Sequence, residues 1–97
     1  MDHFNKLSPA EQERLVLLME ESGEVIQICS KILRHGYESY HPKDPMKTSN
    51  RILLSEEIGH IMHACDRMYS SSDINENDVK FSKEKKAENI IPFLHHN

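Results

Sequence analysis

Apolar positions recur at helical spacing along the first third of the chain. Leu15, Leu18, Met19, Val25, Ile26, Cys29 and Leu33, with Ser22 among them, keep the three-and-four period of an amphipathic helix. Ser8-Pro9-Ala10-Glu11 supplies a start: an N-cap serine, a proline at the first helical position and a glutamate placed for a capping box. Gly36, following Lys31, Arg34 and His35, supplies a stop. The pattern predicts a helix over about 8–35. Gly23 lies inside it at a cost of ~1 kcal/mol relative to Ala. A close neighbour at that point, helix or ligand, would account for the glycine; so would chance.

Residues 36–48 carry two prolines and a glycine and read as a connection, longer than most helix–helix turns. Thr48 or Ser49 then caps a second predicted helix over about 49–71. Its stripe is Leu54, Ile58, Ile61, Cys65 and Met68, flanked by Met62 and Tyr69. Ser70 to Asp73 ends it. Asp73 or Asn75 opens a third helix through Lys80–Lys86 to about Ile91, where Pro92 interrupts. There is no strand alternation, repeat or low-complexity tract. The expected fold is all-α: one domain over 1–97, a bundle of three principal helices per chain. A chain this short buries a modest core alone, so oligomerisation is expected to complete the bundle.

Charge adds a layout to this picture. The formal net charge of -4 argues against general nucleic-acid binding. Glu20, Glu21, Glu24, Glu56 and Glu57 form two tight groups, and the basic residues gather at Lys31 to His35 and Lys80 to Lys86. An acidic centre with basic flanks suits a metal-bound phosphate ligand, and equally suits solvated helix faces. Cys29 and Cys65 show no motif spacing and fall on predicted apolar faces, so buried, reduced thiols in a cytoplasmic protein are expected. Met19, Met62 and Met68 read as core filler. No apolar run approaches the ~20 residues of a membrane span, and the N-terminus carries no basic-then-apolar signal. No Ser-His-Asp set, Cys-His pair or glycine-rich phosphate loop is present.

Projection at about 100° per residue sets Glu21 beside the first apolar stripe, and Glu24 about 60° further round. On the second helix Glu57 lies beside the Leu54–Ile58–Ile61 stripe, with His60 about 60° beyond. If the stripes pack together, Glu21, Glu24, Glu57 and His60 meet at one edge, at the rim of the buried face. Crowded carboxylates raise one another's pKa values or call for a cation. Mg²⁺ prefers oxygen ligands and retains waters and phosphates in its shell, which suits phosphoryl chemistry. Solvated acids at helical spacing are the plain alternative. Lys31 and Arg34 follow on the first helix and can reach phosphates, as can Lys83 and Lys86 from the third; each can equally be a solvated base. Tyr37 and Tyr40 can stack on a base or pack the connection. Glu56, His60 and His63 share a strip that reads as solvent-facing more readily than as a transition-metal site.

Leu17-Leu18-Met19-Glu20-Glu21-Ser22-Gly23-Glu24-Val25-Ile26-Gln27 resembles the first motif of the MazG-like all-α nucleoside triphosphate pyrophosphohydrolases, and Leu54-Ser55-Glu56-Glu57-Ile58-Gly59-His60-Ile61 resembles the second. The family pattern is Glu-x-x-Glu, a spacer, then Glu-x-x-Asp. Lys31 to Tyr37 and Tyr40-His41-Pro42 look like the short single-domain members found in phages and bacteria. The resemblance is strongest over 15–70. It implies Mg²⁺ held by Glu21, Glu24 and Glu57, and a nucleotide bound through its phosphates. Hydrolysis to a monophosphate and pyrophosphate, and assembly into a homodimer or homotetramer, are implied as well. Glu20 is the candidate for the carboxylate that activates water; a solvated glutamate is the alternative. The sequence departs from the pattern at His60, where the family has its last acid, and the spacer is longer than in the shortest members. Imidazole suits Mn²⁺ or another transition metal better than Mg²⁺. Three functions follow: a metal-dependent pyrophosphohydrolase, a non-catalytic protein that sequesters a nucleotide on the same scaffold, or a structural helical interaction module.

Overall fold

The computed structural model describes residues 4–96. It is all-α: α1 spans Pro9–His35, α2 Asn50–Ser70 and α3 Glu76–Asn89, with a 3₁₀ turn at Ile91–Phe93. No strand occurs among the described residues. The start of α1 follows its local chemistry. Glu11 donates its backbone N–H to Ser8 Oγ at 3.1 Å, and Ser8 donates its own to Glu11 Oε1 at 2.9 Å. This reciprocal pair satisfies two donors that a helix start otherwise leaves open. At the other end Gly36 adopts φ 91°, a left-handed turn that costs glycine little.

The chain divides into two compact units, Met1–Arg67 and Met68–Asn97. Within the first, α1 and α2 run antiparallel. Glu13, Arg14 and Leu17 share a hollow with His63 and Arg67. Glu21 meets His60. Lys31 and Arg34 share a pocket with Asn50 and Leu53. Numbers therefore rise along one helix as they fall along the other.

The connection is pinned rather than loose. Asn50 and Arg51 donate their backbone N–H groups to Ser39 O and Tyr37 O, each at 2.9 Å. Asn50 Nδ2 donates to Gly36 O at 3.1 Å. Arg51 pairs with Glu38 at 2.7 Å and covers the Tyr37 ring at 4.4 Å. Asp44 accepts the N–H groups of Thr48 and Met46; these bonds, the one from Thr48 most of all, hold its carboxyl below the ordinary carboxylate range. The long connection is thus a folded segment that caps the helical pair.

The inward faces differ from the sequence expectation. The seam runs through Arg14, Leu18, Glu21, Val25, Ile28 and Ile32 on α1 and through Asn50, Leu54, Glu57, Ile61, Ala64 and Met68 on α2, all buried or half-buried; Glu11, Gln12, Leu17, Ser22, Leu53, Cys65 and Tyr69 are half-buried beside it. Both series keep a strict four-three repeat, the seam of a paired helix. Met19 and Ile26 are each 71% exposed, Leu33 88% and Met62 63%, so Met19 and Met62 are not core filler. Cys29 is exposed and Cys65 half-buried, against the expected pair of buried thiols. The physical reason is that α1 is apolar over an arc wider than one stripe. Periodicity gives the width of such an arc, not the part of it that turns inward.

The second unit is held by local bonds. α2 stops in a Schellman motif, with Asp73 N–H donating to Met68 O and Ser72 N–H to Tyr69 O. Ser72 takes the left-handed position at φ 61°. Asn75 caps α3 by accepting the Asp78 N–H at 3.1 Å, and Lys80 pairs with Glu76 at 3.5 Å. No residue of α3 is buried. No helix among the described residues is long and apolar enough to cross a membrane.

Candidate metal centre

Two inward seam positions that face each other are acids, where a paired helix ordinarily places apolar side chains. The Glu21 and Glu57 side chains are only 17% and 12% exposed. They sit in the seam itself, not at its rim as projection from the sequence suggested, because the true seam is rotated toward them. Glu24 and His60, one turn along their helices, are exposed flanks of the same spot. His60 Nδ1 lies 3.3 Å from Glu21 Oε2 and 3.4 Å from Glu57 Oε1. One ligand atom from each of the four residues falls within 4.8 Å of every other.

The electrostatics are those of a cluster with too few protons. Glu21 Oε2 and Glu57 Oε2 are buried and accept no hydrogen bond, a costly state for acceptors removed from water; His60 Nδ1, 3.3 Å from Glu21 Oε2, faces it as an ion-pair partner only. Sharing a proton with Glu21 and then Glu24, together with burial and the charges of both, pushes the Glu57 carboxyl up to about 7. For His60, partial removal from water disfavours the imidazolium. The nearby charges of Glu57 and Glu21 outweigh that, so its pKa lies above the ordinary value. Extra protons or a cation are the two ways to satisfy this site.

A cation fits the donor set. Three carboxylates and one imidazole, from two helices, form a cluster that could hold a metal ion. Asp66, His63 and Glu56 are not in it.

The remaining candidates are placed elsewhere. Glu20 is an exposed residue on α1 outside the four. Lys83 is an exposed residue of α3, in the second unit. Lys31 and Arg34 line a separate pocket with Tyr40, His41 and Asn50. Asn50, only 6% exposed, had no role in the sequence reading. Its signal was a polar residue in phase with Leu54, Glu57 and Ile61. Gly23 has nothing within 4 Å of where a Cβ would stand, so no neighbour in the described chain explains it.

Comparisons of the chain with protein-family models, curated proteins and solved structures return no match.

Proposed function

We propose that this chain is a metal-dependent nucleoside triphosphate pyrophosphohydrolase of the MazG-like kind, releasing pyrophosphate and a nucleoside monophosphate. One observation carries the reading: the acids of the two motif-like segments converge across α1 and α2, with two buried oxygens that accept no hydrogen bond. Glu21, Glu24, Glu57 and His60 would hold the ion. Mg²⁺, or Mn²⁺ in view of the imidazole, would neutralise charge on the phosphates and make the attacking water more acidic. Water oxygen adds to the α-phosphorus, the bond to the bridging oxygen breaks, and pyrophosphate leaves. Glu20, exposed on α1 and next in sequence to Glu21, is the candidate acceptor of the water's proton.

Self-association belongs to the same proposal. Leu15, Met19, Ile26 and Leu33 continue a second, exposed stripe along α1, more apolar surface than a lone helical pair ordinarily leaves in water. A homodimer or homotetramer would cover it.

His60 favours a second reading, a protein that binds a nucleotide and does not turn it over. Its imidazole brings one negative charge fewer than the Asp of the family pattern. Pyrophosphate release from a nucleotide panel with Mg²⁺ or Mn²⁺ separates the two. We expect release, and a gain in Mg²⁺-dependent turnover for His60→Asp. Tight nucleotide binding with no release from any nucleotide would favour sequestration. If neither metal nor nucleotide shifts the melting temperature, both ligand readings fail and a structural interaction module remains.

A further inference from the structure

The pocket at the loop end of the helical pair has a volume of about 360 Å³, within the range of small-molecule sites. Its walls are Lys31 and Arg34 from the last turns of α1, Tyr40 and His41 from the connection, and Leu53 from the first turns of α2. No acid lines it. Neither Lys31 nor Arg34 has an ion-pair partner among the described residues. Two cations therefore converge on one concavity with nothing to neutralise them.

The other polar groups reinforce this sense. His41 Nδ1 accepts the Lys43 backbone N–H at 3.1 Å, which fixes the neutral tautomer and leaves Nε2–H as a donor. The first amides of α2 are already used: Asn50 and Arg51 donate to carbonyls of the connection. Recognition in this pocket thus falls to side chains, a lysine, an arginine and an imidazole N–H, beside a tyrosine ring and a leucine. Guanidinium and ammonium donors of this kind recognise phosphate.

We propose that this pocket binds a phosphate-bearing small molecule directly through Lys31, Arg34 and His41, without a metal ion. It is a site distinct from the acid cluster. Lys31 stands seven residues beyond Glu24, about 10 Å along the axis and within about 20° of the same face. The proposal stands on the pocket's own lining and holds whether or not the cluster takes a metal.

The test is calorimetric titration of the full chain in EDTA with adenosine monophosphate, inorganic phosphate and adenosine. Adenosine monophosphate is expected to bind, adenosine not. The double variant Lys31→Gln/Arg34→Gln should lose about tenfold or more in affinity, whereas Glu57→Gln should bind as the parent does. Both cations are exposed, and circular dichroism of the double variant checks its helices. Arg34→Lys, which keeps the charge, should retain part of the affinity. Equal affinity for inorganic phosphate and the ester would identify a free-phosphate site; preference for the ester would identify a phosphomonoester site. Absence of binding by either phosphate compound, equal binding of adenosine, or undiminished binding by the double variant would overturn the proposal. Metal uptake, followed separately with Mn²⁺ on Glu57→Gln, reports on the cluster alone.

Discussion

The middle and the loop end of the α1–α2 pair share one face and carry opposite chemistry. In the middle, Glu21 and Glu57 occupy seam positions and leave two buried oxygens that accept no hydrogen bond. At the loop end, Lys31 and Arg34 border a pocket without an acid. The middle is short of positive charge, the end short of negative. A single antiparallel pair can therefore present a cation-seeking and an anion-seeking site about two helical turns apart: the acids stand in the seam, and the bases stand on exposed positions beside it.

The sharpest way to break the comparison is to neutralise the middle alone. Glu57→Gln should lower metal-dependent pyrophosphate release by about 100-fold or more, since even supporting groups around a metal commonly cost 10–100-fold. Loss of phosphate-ester binding in EDTA by the same variant would show that the two sites are one. The same substitution should raise the melting temperature of the metal-free protein at pH 8, because it removes one of three crowded charges.

A titration sharpens the contrast next. Glu57 ionises near 4.5 when unfolded and at about 7 in the fold. Between those values the native state holds a proton that the unfolded state has lost, so stability falls as pH rises through that window. His60, raised above 6.5, acts in the same direction: its contribution is full below that value and is lost as pH rises through the folded one. The metal-free melting temperature should fall between about pH 5 and pH 8. Mn²⁺ should restore more at pH 8 than at pH 5, because protons then compete less for the same oxygens. A flat profile in chelator would mean that the four side chains do not crowd in solution.

Self-association is tested on the exposed stripe. Ile26→Glu should reduce the mass seen by light scattering to that of one chain, with the helical content kept. The smallest effect is at Gly23. Open space surrounds its absent Cβ, so Gly23→Ala should stabilise the fold by ~1 kcal/mol through helix propensity. A loss instead, visible in the melting curve, would place a second chain or ligand against that turn.

Much of the fold was legible because its signals are local. Ser8-Pro9-Ala10-Glu11 fixes the start of α1 through bonds three residues apart, and the bounds of α2 fall within one residue of the expectation. α3 is shorter than expected, opening at Glu76 behind Asn75 and closing at Asn89 before Ile91 and Pro92. The meeting of Glu21, Glu24, Glu57 and His60 was legible too, since spacing placed each near an apolar stripe. Which apolar arc turns inward was not. Leu15, Met19, Ile26 and Leu33 keep as good a period as Leu18, Val25, Ile28 and Ile32, and only the partner helix chooses between them. The cationic pocket was legible in Lys31 and Arg34 but not in its enclosure. That depends on the fold of the connection, where Gly36, Ser39 and Tyr37 offer carbonyls to Asn50 and Arg51.

One consequence follows from acids placed at the centre of a seam whose flanks are sound. Ile28 toward the loop end and Ala64 toward the other are buried, whereas the stretch between them carries the two unbonded oxygens. A helical pair ordinarily opens from its ends inward. This one should breathe from its waist: without an ion, amides around Glu21 and Glu57 should exchange with deuterium sooner than those on either side. Occupancy of the waist would then reverse that order, turning the softest part of the pair into its clasp.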